Sequence, residues 1–247
     1  MVDTALLLSA AFVAGALNAV AGGGSFLTLP ALVFTGVPPV VANATGTVAL
    51  LPGYIAGAWG FREDMAPPPG LSMRQVAALS LLGGAAGAGL LLLTPDATFR
   101  RVVPWLLLAA TALFAFGPQL RQRLAGSGAP SRTKATLGVL AVATYGGYFN
   151  GGLGILLLAL WGLLGQTQLN AMNGLKNGVS ALLTAVAVVI YAAGGLVQWP
   201  QAGLMMVAAT AGGYGGARLA RRIPAPWLRA GIVLTGLVMA GLFFGRQ

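Results

Sequence analysis

One lysine sits where a charge is expensive. Lys176, in the stretch "LNAMNGLKNGVSALL" at 169–183, falls inside an apolar span about one and a half turns beyond Asn170, with Asn173 and Asn177 beside it. An ionised group there costs a few kcal/mol unless it is paired or wetted, and no Asp or Glu lies in any span to pair with it. A mobile anion would complete it. The chain also breaks its apolar runs twice with weak helix formers, in "LNAVAGGGSFLTLP" at 17–30 and in "FNGGLGI" at 149–155. Backbone N–H groups freed at Gly22, Gly23 and Gly24, and at Gly151, Gly152 and Gly154, can bind an anion. The half-helices that begin after each break point their positive ends the same way. Asn18, Ser25 and Asn150 flank these breaks, and "VVANATGTVALL" adds the neutral polar groups of Asn43, Thr45 and Thr47. These residues form a candidate binding set for one small, oxygen-rich anion.

The elements that must position them lie in a membrane. Of 247 residues, 57% are hydrophobic and only 7% charged, so a soluble globule would lack the polar surface to cover itself. Apolar runs of spanning or near-spanning length for a ~30 Å hydrocarbon core recur from Ala5 to Phe244, the pieces flanking each glycine break being too short to cross alone. The net charge of +10 resides almost entirely in the intervening loops, where it sets orientation rather than marking a nucleic-acid partner. With no Cys and no His, thiol chemistry, disulfides, Cys or His metal sites and histidine proton relays are excluded. Asp3 occupies the place of a basic n-region, so no cleavable signal is expected.

The chain repeats itself. A shift of 132 residues lays Gly15 on Gly147, Asn18 on Asn150, Gly22 on Gly154 and Gly46 on Gly178 without a gap. The same register places Gly83-Gly84-Ala85 on Gly215-Gly216-Ala217. Two halves follow, 1–118 and 135–247, joined by a basic linker at 119–134. The first half reads as arms at 4–17 and 25–37 around the break, then helices at 38–61, 72–93 and 98–118. The second reads as 135–149 and 155–165, then 171–192, 201–217 and 227–244. The expected fold is all-α: a polytopic membrane protein of two inverted repeats, each a glycine-broken hairpin followed by three transmembrane helices. Gly83, Gly84, Gly87, Gly212, Gly213, Gly215 and Gly216 are assigned instead to close helix packing.

Charge decides between hairpins and single crossings at the breaks. If each broken segment crosses once, the loop cations divide seven against six; if each returns to its starting side, they divide ten against three. The hairpin arrangement puts residues 62–74, 119–134 and 218–229 in the cytoplasm and both termini outside. It also inverts the second half relative to the first, the architecture of secondary transporters whose substrate binds near the midplane.

An intramembrane enzyme would need a His, Cys or carboxylate within the spans, and none is there. A cation transporter would be expected to carry embedded Asp or Glu. An anion channel and a non-transporting scaffold or assembly protein remain compatible with the composition.

The two halves resemble the TauE/SafE sulfite exporter family. "GALNAVAGGGSFLTLPALVFTGVPPVVANATGTVALLPG" is similar to its first motif, and "GGYFNGGLGILLLALWGLLG", followed by "NGLKNGVSALL", to its second. The second motif departs from the usual glycine-rich run at Ile155-Leu156-Leu157. The resemblance implies transport of sulfite, organosulfonates or related small anions across a bacterial cytoplasmic membrane. No cofactor is expected. Coupling would come from the membrane potential, from a proton carried by the substrate, or from a sodium ion held by Thr45, Thr47, Asn18 and hairpin carbonyls. The expected partners are the anion, the bilayer and, as a possibility, a second copy of the chain.

Overall fold

The computed structural model describes residues 2–20, 22–124, 131–220 and 225–245, and the regular structure there is entirely helical. Ten helices run in the order the apolar segments demand: α1 Val2–Val20, α2 Ser25–Phe34, α3 Pro39–Gly60, α4 Met73–Leu92 and α5 Asp96–Leu124 in the first half. The second half contains α6 Arg132–Tyr148, α7 Leu153–Leu163, α8 Leu169–Ala193, α9 Trp199–Ala220 and α10 Ala225–Phe244. Among the described residues, α1, α3, α4 and α8 are long and apolar enough to cross a membrane.

Local chemistry sets the ends. Pro39 opens α3, where its missing N–H costs nothing, and Asp96 Oδ1 at the start of α5 accepts the next free donor, Val40 N–H, at 3.0 Å. Ser72 and Gln75 form a reciprocal capping box on α4, with bonds of 3.3 and 2.9 Å. Val37 N–H reaches back to Leu32 O at 3.1 Å to close α2. α1 is longer than the arm expected from the sequence, because Ala19 and Val20 continue its helix up to the break. The ends of α5 and α6 likewise extend into the stretch assigned to the linker; residues 125–130 of it, and Arg221 and Arg222 of the later basic loop, lie outside the described residues.

The packing pattern follows the sequence repeat. α1 packs on α9, and its counterpart α6 packs on α4; α3 packs on α9 as α8 packs on α4. Equivalent helices also pair directly, α3 with α8 and α5 with α10. Both pairs run antiparallel. Gly57 faces Asn177 while Phe61 faces Gly174, and Thr111 faces Gly236 while Trp105 stacks edge-on against Phe244. Small residues allow these approaches: Gly83 and Gly87 sit against the backbone of α6 between Leu140 and Tyr148, Gly84 against Leu183, and Gly212 against Phe12 O. Four of the glycines assigned to packing therefore pack. Gly213 lies nearest Gly15 O, and the surroundings of Gly215 and Gly216 lie outside the described residues.

Burial divides into two apolar clusters. One joins Phe26, Leu29, Leu50, Phe99, Leu107 and Phe149; the other joins Val76, Val139, Leu157, Trp161, Leu175 and Val179. Large apolar side chains such as Trp59, Leu82, Trp105, Val189 and Val207 point outward instead, as expected where the solvent is lipid.

Candidate functional site

The two glycine breaks meet at one point. Gly22 has φ +80°, a conformation that suits a residue without Cβ, and its N–H bonds back to Leu17 O at 3.2 Å. A Cβ added to Gly22 would lie 2.6 Å from Gly154 Cα, and one added to Gly154 would lie 2.7 Å from Gly22 Cα. The repeat-equivalent glycines thus touch backbone to backbone. α2 starts at Gly24 and α7 at Gly152, which has φ +70°; neither start has a side-chain cap, so neither uses a side chain to occupy its first-turn donors. Gly23 and Gly24 are buried, and Gly24 packs against Asn18 and Leu50.

Lys176 lies at this crossing. Its Cδ would be 3.2 Å from a Cβ on Gly154, so its aliphatic stem covers the contact of the two breaks. The residue is 1% exposed and Nζ has no hydrogen-bond partner. The Arg62–Glu63 ion pair is exposed and elsewhere. An unpaired buried ammonium is costly, and a bound anion removes that cost. Asn177 packs against Gly57 one residue further on, and Asn173 is half-buried one turn earlier.

The second break is tied into both halves by side chains. Ser25 Oγ donates to Asn150 O at 3.4 Å, Asn43 Nδ2 to Tyr148 O at 3.0 Å, and Tyr54 Oη to Asn150 Oδ1 at 3.2 Å. Tyr145 Oη donates to Gly151 O at 2.5 Å, and Tyr191 Oη to Gly147 O. Asn150 itself has φ +59°, a left-handed conformation that asparagine tolerates better than most residues. Asn43, Thr47, Leu50 and Tyr54 form one face of α3, at helical spacing, along these breaks. Thr47 Oγ1 donates back to Asn43 O at 2.8 Å. Thr45 lies off that stripe, and its Oγ1 accepts Gln198 N–H at 3.1 Å, tying α3 to the start of α9.

Sequence reasoning missed the tyrosines. Tyr54, seven residues beyond Thr47, continues the stripe and was legible from helical periodicity; Tyr145 and Tyr191 carried no such signal. It also missed Ser180 and Thr184, one and two turns beyond Lys176 on α8, whose hydroxyls are buried without partners. Because α3 and α8 run antiparallel with Gly57 opposite Asn177, Tyr54 falls at the level of Ser180, one turn from Lys176. The arrangement is chemically a buried cation with amide and hydroxyl groups and irregular backbone around it. No group of three or more His, Cys, Asp or Glu able to hold a metal occurs among the described residues. A separate polar recess of about 310 Å³, lined in part by Asp3, Thr35, Gln198 and Gln201, opens where α1, α3 and α9 begin.

The family model described as sulfite exporter TauE/SafE matches residues 7–243. The chain belongs to the TauE/SafE family. It is a multi-pass membrane transporter and not an enzyme. It is similar to a probable membrane transporter protein of Haemophilus influenzae, 28% identical with 95% of this chain and 92% of the relative covered. It is likewise similar to the probable membrane transporter protein YfcA of Escherichia coli K12, 26% identical over 95% of this chain and 87% of that one. A probable membrane transporter protein of Sinorhizobium is 30% identical over 47% of this chain and 44% of its own length. No solved structure matches. The TauE/SafE match spans both glycine breaks and all ten helices at least in part, so the site described above lies wholly within the family region.

Proposed function

We propose that this TauE/SafE transporter is a secondary carrier for a small sulfur-containing anion, sulfite or an organosulfonate, bound where Gly22, Gly154 and Lys176 meet. The observation that carries the reading is Lys176: a buried cation with no protein partner, laid against two breaks whose helix starts carry no side-chain cap. Asn18, Asn150 and the amides of Gly23, Gly24, Gly151, Gly152 and Gly154 supply the remaining polar contacts, whereas the Gly22 N–H is spent on Leu17 O. The sulfur chemistry rests on the family to which the chain belongs.

We further infer that the halves are inverted repeats in a bacterial inner membrane, with both termini outside. The antiparallel crossings of α3 with α8 and of α5 with α10 support inversion, since repeats inserted the same way would run equivalent helices parallel. The ten-to-three division of loop cations supports the orientation.

A thermal-shift panel on the purified protein tests the ligand class, because a ligand that binds only the folded state raises its apparent stability. Sulfite or short sulfonates are expected to raise the melting temperature dose-dependently. A panel in which sulfite, sulfate, thiosulfate, sulfonates and carboxylates all leave it unmoved contradicts the proposal.

A further inference from the structure

Asn18 and Asn150 are equivalent in the repeat, yet Asn150 is bonded to a residue that has no equivalent. The counterpart of Tyr54 is Val186. The Tyr54 hydroxyl donates to Asn150 Oδ1 at 3.2 Å, which leaves Asn150 its Nδ2 to present. The free ends are then opposite. Asn150 Nδ2, a donor, and Asn18 Oδ1, an acceptor, are both buried and both without partners. A symmetric pair of side chains has become a polar pair.

Resting on the anion site proposed above, we infer that this site recognises a singly charged oxyanion carrying its own hydrogen-bond donor, and that Tyr54 is the positioning residue that turns the Asn150 donor toward it. Lys176 Nζ and Asn150 Nδ2 face the oxyanion, and Asn18 Oδ1 receives the ligand's N–H or O–H. Lys176 is the buried charge of the site, so a dianion would leave one negative charge uncompensated in a low dielectric. An orphaned acceptor such as Asn18 Oδ1 is costly until something donates to it. A plain oxyanion would set oxygen against oxygen there.

Binding constants of 2-hydroxyethanesulfonate and 1-propanesulfonate, measured calorimetrically on the full purified chain with sulfite as reference, test this. The two sulfonates differ by a hydroxyl in place of a methyl at nearly equal size. The hydroxylated anion is expected to bind roughly tenfold or more tightly, as a site built to hydrogen-bond a ligand group discriminates against the analogue lacking it. Asn18→Leu should bring the ratio close to one. Tyr54→Phe should narrow it too, because Asn150 loses the hydroxyl that orients it; a purely structural tyrosine would weaken both ligands alike and leave the ratio intact. Equal affinity of the wild-type protein for the two sulfonates overturns this inference while leaving the anion site standing, and sulfite binding with neither sulfonate also overturns it. Failure of all three anions to bind defeats the anion site itself.

Discussion

Gly22 and Gly154, equivalent positions of the two halves, are in backbone contact, and the Cδ of Lys176 lies against that contact. Under the inverted-repeat arrangement proposed above, equivalent residues touch only near the axis relating the halves, and this contact is where the proposed site lies. A ligand bound there would feel any movement of one half against the other.

Replacing Gly22 with alanine should therefore be costly for two separable reasons. Gly36 provides the control, because it also has positive φ, at +87°, but a Cβ there meets nothing within 4 Å. Gly36→Ala is expected to lose ~1–2 kcal/mol from backbone strain alone. Gly22→Ala should lose a further ~1–3 kcal/mol, because its Cβ would overlap the Gly154 backbone. Thermal unfolding of the two variants side by side checks this, and equal losses would deny the tight crossing.

Thr45→Val removes the acceptor for Gln198 N–H while keeping the shape of the side chain. A stability loss of ~1–3 kcal/mol is expected, the cost of leaving a partly buried donor unmet. Denaturation monitored by far-ultraviolet circular dichroism measures it. Lost anion affinity with undiminished stability would instead place Thr45 in the binding site.

Orientation can be read with introduced cysteines, since the chain has none of its own. A cysteine beside Asp3 or near Pro95 should label from outside with an impermeant maleimide, and one near Arg62 only after the cytoplasmic face is opened. The reverse pattern would contradict the hairpin arrangement.

The helices were legible because the bilayer imposes long apolar runs, and the polar residues that interrupt them are few. Asn18, Asn150 and the glycines announce both breaks, and the gapless repeat pairs them. What the sequence could not show was which polar groups the fold would use up. Thr45 and Thr47 look alike two residues apart on α3, yet the 100° step per residue turns Thr45 toward Gln198 and leaves Thr47 on the stripe with Asn43 and Tyr54. Tyr54, Tyr145 and Tyr191 read as ordinary aromatic residues of membrane helices. The Tyr145 and Tyr191 hydroxyls find Gly151 O and Gly147 O because the end of α6 and the break after it offer backbone acceptors that a continuous helix would keep to itself, while Tyr54 finds the Asn150 side chain. The length of α1 was underread because Asn18 suggested an earlier end, whereas the helix runs through it to Val20.

The central claim is that Lys176 supplies the charge for the transported anion, and Lys176→Met tests it most directly by keeping an unbranched side chain of similar length. The stabilising anion identified by thermal shift should bind this variant more weakly by at least ~1.5–3 kcal/mol, the scale of a hydrogen bond to a charged group. The unliganded protein should be as stable as the wild type or more so, because an unpaired buried charge has been removed. Lys176→Arg should fall between the two, since a planar guanidinium presents its donors differently from a compact ammonium. Affinity and melting temperature measured on the same purified samples decide the matter: lost binding in an equally stable protein is the predicted result, and unchanged affinity in Lys176→Met would contradict it.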